Sequence, residues 1–292
     1  MCRNLWMLLV STLMITCLLA SPISYSAKKI AVSVAHEVDL SSVERKSGNA
    51  PTSADPIFFD VYTQYPAPFG GQGEDKPSDM FWPQKELILY VNATYAGWPE
   101  QNVNAAFEIL YSNGSCCSVL YNLTDACGVA FVRTRLPWPC DNSSDLFGKW
   151  TVIATASIAG EVANDTLVFL YDYKVRIWDT TNTDKAEYKH YEEILVTLNH
   201  GSLAMQPYEI TFTFTAIDAS GFPFGFSYVT VGIGGAAWDQ YKNRTLQLTL
   251  HVVKWARPPT GEIHIGGLNA LPWAGGSSET PEHVLQIYIL VE

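Results

Sequence analysis

The chain has 292 residues, 48% hydrophobic and 13% aromatic, and its 18 basic and 29 acidic side chains give a formal net charge of −11. That apolar content can bury a sizeable core, which excludes a disordered chain. The acidic balance argues against phosphate-rich or anionic-lipid partners, so no nucleic acid is expected.

Met1–Asn4 carry one positive charge, Leu5–Ala20 form an apolar run, and Ser24-Tyr25-Ser26-Ala27 offer small residues before Lys28. This is the pattern of a secretory signal peptide over residues 1–27. An uncleaved anchor and a lipid-modified Cys17 are the alternatives. Residues 1–27 hold one Arg and no acid, so their removal leaves 17 basic and 29 acidic groups, a net of −12. No second long apolar run follows, and no stable membrane span is expected after cleavage.

Residues 28–56 read as an N-terminal extension. In Lys28–Leu40, Ile30, Val32, Val34, Val38 and Leu40 recur at strand spacing, and Ser41–Asp55 has the composition of a linker. An isolated strand on a tether must pair somewhere. It either opens the following domain, stays disordered, or donates itself to the sheet of a neighbouring subunit.

From Ile57 onward the pattern is one of short strands. Ile57–Gln64, Lys85–Tyr95, Val103–Tyr111, Ser118–Leu123, Gly128–Leu136, Gly148–Ala159 and Glu161–Tyr171 alternate apolar and polar residues. A Pro- and Gly-rich loop occupies 65–84. Thr124–Cys127 reads as a hairpin turn, and so does Gly160. A second series comprises Val175–Asp179, Glu193–Leu198, Tyr208–Asp218, Phe226–Ile233, Thr245–Val253, Gly261–Gly266 and Val284–Val291. Only Thr183–Glu193 and a stretch near Trp238 are hospitable to helix. The regular turn spacing predicts an all-β protein with two β-sandwich domains, 57–172 and 173–292.

Six Asn-x-Ser/Thr sequons without central Pro begin at Asn92, Asn113, Asn122, Asn142, Asn164 and Asn243. Behind a signal peptide they predict N-linked glycans. Cys116, Cys117, Cys127 and Cys140 lie within 25 residues, which in an oxidising compartment reads as two disulfides. A bond between the neighbours Cys116 and Cys117 is disfavoured by strain. One of them is expected to pair with Cys127 and the other with Cys140.

The chain lacks G-x-S-x-G, H-E-x-x-H and P-loop motifs, and no catalytic residues, cofactor or metal are expected. Glu187 with His190 could share a helical face. His264 and the group Glu279, Glu282 and His283 are the other polar concentrations. Trp82, Trp98, Trp138 and Trp273 sit beside Pro or Gly in turns. Such residues plug sandwich ends, anchor protein interfaces, or stack on sugars.

Thr124-Asp125-x-x-Gly128-Val129-Ala130, Pro137-Trp138-Pro139, Gly148-x-Trp150-Thr151-Val152 and Asp165-Thr166-Leu167 together resemble macroglobulin- and invasin-type immunoglobulin-like domains. The pairing of Pro77-Ser78-Asp79-x-Phe81-x-Pro83 with Leu136–Cys140 resembles secreted archaeal proteins built from tandem domains of that kind. Leu271-Pro272-Trp273-Ala274-Gly275-Gly276 resembles the second domain of the same group. The resemblance spans about 57–292 and implies two immunoglobulin-like sandwiches, with Trp150 as a core aromatic. It specifies no activity. There is no thioester motif or bait region, so protease trapping is not implied.

The resulting expectation is a non-enzymatic, secreted or cell-surface glycoprotein acting in structure or adhesion. Its partners would be other cell-envelope proteins or copies of itself, by strand donation into filaments or a surface layer. The alternative is an extracellular carbohydrate-binding module.

Overall fold

A computed structural model describes residues 56–139, 146–268 and 280–290, all of which lie in one compact unit, Ser53–Glu292. The expected strand in Lys28–Leu40, Asn142, Cys140, Trp273 and Glu279 lie outside the described residues.

The architecture is all-β. The first strands are β1 (Ile57–Thr63), β2 (Glu86–Tyr95), β3 (Trp98–Pro99), β4 (Asn104–Leu110), β5 (Cys116–Leu123), β6 (Val129–Arg135), β7 (Gly148–Ile158) and β8 (Glu161–Tyr171). One antiparallel sheet sets β2 between β1 and β6, with β3 at its far end. The facing sheet runs β5-β4-β7-β8. Strict alternation places Leu87, Leu89, Val91 and Ala93 of β2 inward, against Ala105, Phe107 and Ile109 of β4 and Trp150, Val152 and Ala154 of β7. Trp150 is fully buried, as the resemblance implies, and its indole N–H donates to the Leu146 carbonyl at 2.7 Å.

The remaining strands are β9 (Arg176–Ile177), β10 (Asn182–Thr183), β11 (Glu187–Tyr188), β12 (Glu193–Ser202), β13 (Tyr208–Asp218), β14 (Pro223–Ile233), β15 (Lys242–His251), β16 (Thr260–Leu268) and β17 (Thr280–Ile289). β12 lies between β15 on one side and β9 and β10 on the other, facing a five-stranded sheet β11-β17-β16-β13-β14. The second core gathers Ile194, Val196 and Leu198 with Ile210, Phe212, Phe214, Ile263, Ile265 and Ile287. The fold is therefore two sheet pairs with separate cores. A β-sandwich architecture fits this arrangement.

Two local expectations change. Thr124–Cys127 is not a hairpin: β5 pairs with β4 and β6 with β2, so this turn carries the chain from one sheet to the other. Thr124 fixes the corner by accepting from the Val103 amide at 2.9 Å and donating to the Glu100 carbonyl at 2.6 Å. Thr183–Glu193 is not helical. It holds β10, β11 and turns, because Tyr188 is buried in the core and its hydroxyl donates to Asp184 at 2.7 Å. Within the Pro- and Gly-rich loop 65–84, Ser78, Asp79, Met80, Phe81 and Trp82 are buried. Its backbone joins β8 through Ser78 N to Val168 O and Phe81 N to Leu170 O, both at 2.8 Å.

The β7–β8 turn matches expectation. Ala159 and Gly160 both have positive φ, 52° and 88°, the geometry of a two-residue hairpin turn.

Candidate interaction surfaces

The two sheet pairs meet through a polar anchor. Buried Asp79 accepts hydrogen bonds from the amides of Met205 (2.8 Å) and Gln206 (3.2 Å) and from the Tyr208 hydroxyl (3.3 Å). Met80, Leu170, Leu203 and Ala204 pack beside it. Trp82 is only 7% exposed and belongs to this junction, edge-on to Tyr208 with the Lys174 ammonium 4.8 Å from its ring centre. Nearby, Asp172 receives Arg176 at 2.6–3.0 Å and the Tyr241 hydroxyl.

The flanks of the two pairs differ. In the first pair both are tied: the Asp165 carboxylate accepts from Val61 N at 2.7 Å, bridging β8 to β1. Asn122 Nδ2 donates to Phe131 O at 2.7 Å, bridging β5 to β6. In the second pair one flank is closed by β9, β10 and β11. There Tyr188, pushed up to about 12 by burial and then by its bond to Asp184, also accepts from Lys185 N at 3.0 Å. The other flank, between β14 and β15, is open. Both are edge strands, of 11 and 10 residues, and neither has a second strand partner among the described residues. Their inward residues Val229, Val231, Leu246 and Leu248 are only partly buried, whereas Phe212 and Phe214 of β13 and Val196 of β12 beside them are fully buried. The Arg244 guanidinium ties this flank at one end, donating to the carbonyls of Gly232 and, at 3.2 Å, Gly234. On the outer face of β14, Phe226 and Tyr228 are exposed and pack edge-on at 4.4 Å.

The expected loop tryptophans do not converge. Trp98 is 76% exposed on β3 beside Tyr95. Trp138, also exposed, follows β6 near the Glu86 end of β2. The nine residue steps of β2 from Glu86 to Tyr95 put those ends about 30 Å apart. The structure instead forms an aromatic row that the sequence reading missed. On the outer face of the first sheet Tyr62 stacks on Tyr90 (5.4 Å, 10° between planes). Tyr90 meets Phe131 at 5.9 Å, and Arg133 lies over Phe131. The available signal was strand register: Tyr62 and Phe131 both pair directly with Tyr90.

Among the described sequons, Asn113, Asn122, Asn164 and Asn243 are exposed and Asn92 is half-buried. Asn113 Oδ1 accepts from both the amide (2.9 Å) and the hydroxyl (2.6 Å) of Ser115.

The expected disulfide to Cys127 is not formed: Cys116, Cys117 and Cys127 are free thiols, and the partner expected at Cys140 lies outside the described residues. Cys116 starts β5, and Cys127 lies in the corner beyond its far end. The seven strand steps from Cys116 to Leu123 span about 24 Å, which sets Cys116 far from the corner that holds Cys127, against a limit of about 7 Å between the Cα atoms of a disulfide.

Among the described residues the polar concentrations expected from the sequence do not converge. Glu187 is exposed on β11, while His190 Nε2 lies 3.2 Å from the Ala256 carbonyl. His264 sits between Glu262 (2.9 Å) and Glu282 (2.5 Å). Burial alone would lower it, but the two carboxylates win and raise it. His200 is buried edge-on to Phe212, with both ring nitrogens unbonded. Burial, then the Arg244 guanidinium, lower it. Among the described residues no group of three or more His, Cys, Asp or Glu could hold a metal ion. No helix there is long and apolar enough to cross a membrane.

No family model and no curated protein matches the chain. Among solved structures, Escherichia coli alpha-2-macroglobulin activated by porcine elastase is similar at 14% identity and a TM-score of 0.34, over 82% of this chain and 22% of that one. Red sea bream transglutaminase is similar at 9% identity and a TM-score of 0.29, over 82% and 32%. A Pseudomonas fluorescens alkylpurine DNA glycosylase bound to DNA is similar at 12% identity and a TM-score of 0.30, over 41% and 31%. The chain spans about a third or less of the length of each.

Proposed function

We propose that the chain is a secreted, non-enzymatic structural protein of the cell surface that assembles by strand donation. The observation that carries this reading is the open β14/β15 flank, two unpaired edges around a half-covered apolar interior. The donor is Lys28–Leu40 of a neighbouring copy. Its Ile30, Val32 and Val34 would point inward beside Val229, Val231, Leu246 and Leu248, while its backbone completes the edge hydrogen bonds. Fifteen linker residues, Ser41–Asp55, could span up to about 50 Å when extended.

The test is the mature chain, from Lys28, compared with a version lacking residues 28–40 and with Val231→Lys, all by light scattering and electron microscopy. The intact chain should form concentration-dependent oligomers, the deletion should be monomeric, and a peptide of residues 28–40 should bind the deletion but not the Val231→Lys variant. An intact chain that stays monomeric at high concentration defeats the reading. So does unchanged assembly after the deletion.

The aromatic row on the first sheet supports the second reading, an extracellular carbohydrate-binding module. Its flat stacked rings suit the apolar faces of sugars better than the dispersed loop tryptophans do. Glycan-array binding lost in Tyr90→Ala, with assembly absent, would favour it.

A further inference from the structure

Asn92 stands beside the aromatic row, two residues along β2 from its central Tyr90. On β2, Val91 and Ala93 are fully buried, so Tyr90, Asn92 and Thr94 share the outer face. The register fixes what surrounds the asparagine. Its partner on β1 is Asp60, which places Phe58 and Tyr62 on the two diagonals. Its partner on β6 is Val129, which places Phe131 on a third. Diagonal neighbours lie about 7–8 Å away, and Tyr90 at i−2 about 7 Å away. One sequon is thus ringed by four aromatic side chains, of which Phe58 and Phe131 are exposed. Among the described residues the Asn92 amide makes no hydrogen bond, while Asn122 uses its own on the Phe131 carbonyl.

We propose that Asn92 is N-glycosylated and that the first pyranose ring of its glycan lies on the shelf formed by Tyr90, Tyr62 and Phe131. This rests on the secretion reading above. The occupant is covalently supplied: a sugar leaving Asn92 along the sheet meets Tyr90 first. The axial C–H face of a pyranose then packs on the ring, as apolar surfaces do. In the modification, Asn92 Nδ2 loses a proton and bonds to C1 of the reducing-end sugar of a polyisoprenyl phosphate-linked oligosaccharide. The C1–O bond breaks and the lipid phosphate leaves with its electron pair. Thr94, on the same face, completes the sequon. The shelf also explains why large rings stand on a solvent face where Thr or Lys would normally suffice. In the bare chain Phe131 is exposed and Tyr62 and Tyr90 are half-buried; the glycan would cover them further.

The experiment expresses the full chain in a secreting eukaryotic host and measures occupancy at each sequon by glycopeptide mass spectrometry. Melting temperature is then compared before and after enzymatic release of the glycans, for wild type, Thr94→Ala, Tyr90→Ala and Phe131→Thr. Asn92 should be occupied in wild type. Glycan release should lower its melting temperature by about 2–4 °C, the shift expected from one aromatic–sugar contact in a domain of this size. In Thr94→Ala, Tyr90→Ala and Phe131→Thr that difference should vanish or shrink by at least half. Phe131→Thr, at an exposed position, keeps the test alive should Tyr90→Ala misfold. An empty Asn92 with Asn164 and Asn243 occupied overturns the shelf and leaves secretion standing. All sequons empty overturns secretion itself. An occupied Asn92 whose removal shifts wild type and Tyr90→Ala equally overturns the packing.

Discussion

Replacing Asp79 by Ala tests what holds the two sheet pairs together. The side chain is fully buried and receives Met205 N, Gln206 N and the Tyr208 hydroxyl, in addition to the adjacent Met80 N at 2.8 Å. Each hydrogen bond to a charged group contributes about 1.5–3 kcal/mol, offset in part by the cost of burying the carboxylate. Removing it leaves two backbone amides of the 205–206 turn without acceptors in a site largely shielded from water. The expected loss is about 3–5 kcal/mol. Asp79→Asn keeps the shape and one acceptor oxygen but turns a donor toward Gln206 N, and should lose about half as much. Urea denaturation gives the magnitude. Hydrogen exchange at the Met205 and Gln206 amides gives the location, because both should exchange faster in Asp79→Ala, well before global unfolding. A loss below about 1 kcal/mol, or unchanged protection at those two amides, would show that the apolar cluster around Met80 and Leu203 holds the junction without the carboxylate.

The two perturbed histidines predict a stability maximum near pH 6.5. His200 is lowered in the fold, so its contribution is complete above about 6.5 and declines as pH falls below that value. His264 is raised, so its contribution is complete below about 6.5 and is lost as pH rises through its folded value. Melting curves from pH 5 to 8 should show His200→Phe flattening the acid limb and His264→Gln the alkaline limb; unchanged limbs would refute the assignments. Cys127→Ser should change stability by no more than about 0.5 kcal/mol and remove a thiol that reacts with Ellman's reagent in the native state; a loss above about 2 kcal/mol would reveal a disulfide. Gly128→Ala should cost at least about 2 kcal/mol, since φ is +75° and a Cβ would sit 2.4 Å from the Ala93 carbonyl oxygen. Gly160→Ala, in open space, should cost about 1 kcal/mol, and denaturant midpoints compare the two directly.

Long strands were legible because alternation of buried and exposed positions is a two-residue property that survives any topology. β2, β7 and β13 lie within one residue of expectation. Pairing was not legible, because it depends on which sheet a corner feeds. Thr124–Cys127 has every residue of a hairpin turn, yet the side-chain bonds of Thr124 to Val103 and Glu100 send β6 to the other sheet. Loop burial was equally hidden: Pro, Gly and Asp over 65–84 signal irregular backbone but do not say that Phe81 and Trp82 fill a junction. The aromatic row required register, which no single strand encodes. Spacing in sequence does not give proximity for Cys116 and Cys127, because an extended strand lies between them.

The open flank gains weight from what β14 lacks. Long edge strands are normally blunted by charge, proline or a covering segment. Pro223–Ile233 has proline only at its first position and no charged residue in 11, and its inward side carries Val229, Val231 and Ile233. Facing it, β15 bears Lys242 and Arg244 at one end only, with the exposed sequon Asn243 between them. In the first sheet pair the chain spends Asp165 and Asn122 on tying its flanks shut. An uncharged edge over a half-covered core, tied only at one end by Arg244 in a molecule whose first sheet pair has a polar tether on both flanks, is the form expected of a surface that is covered when the protein works. A glycan on Asn243 would guard the Lys242 end of β15 against lateral association, leaving the Leu246–Leu250 stretch accessible to a single added strand.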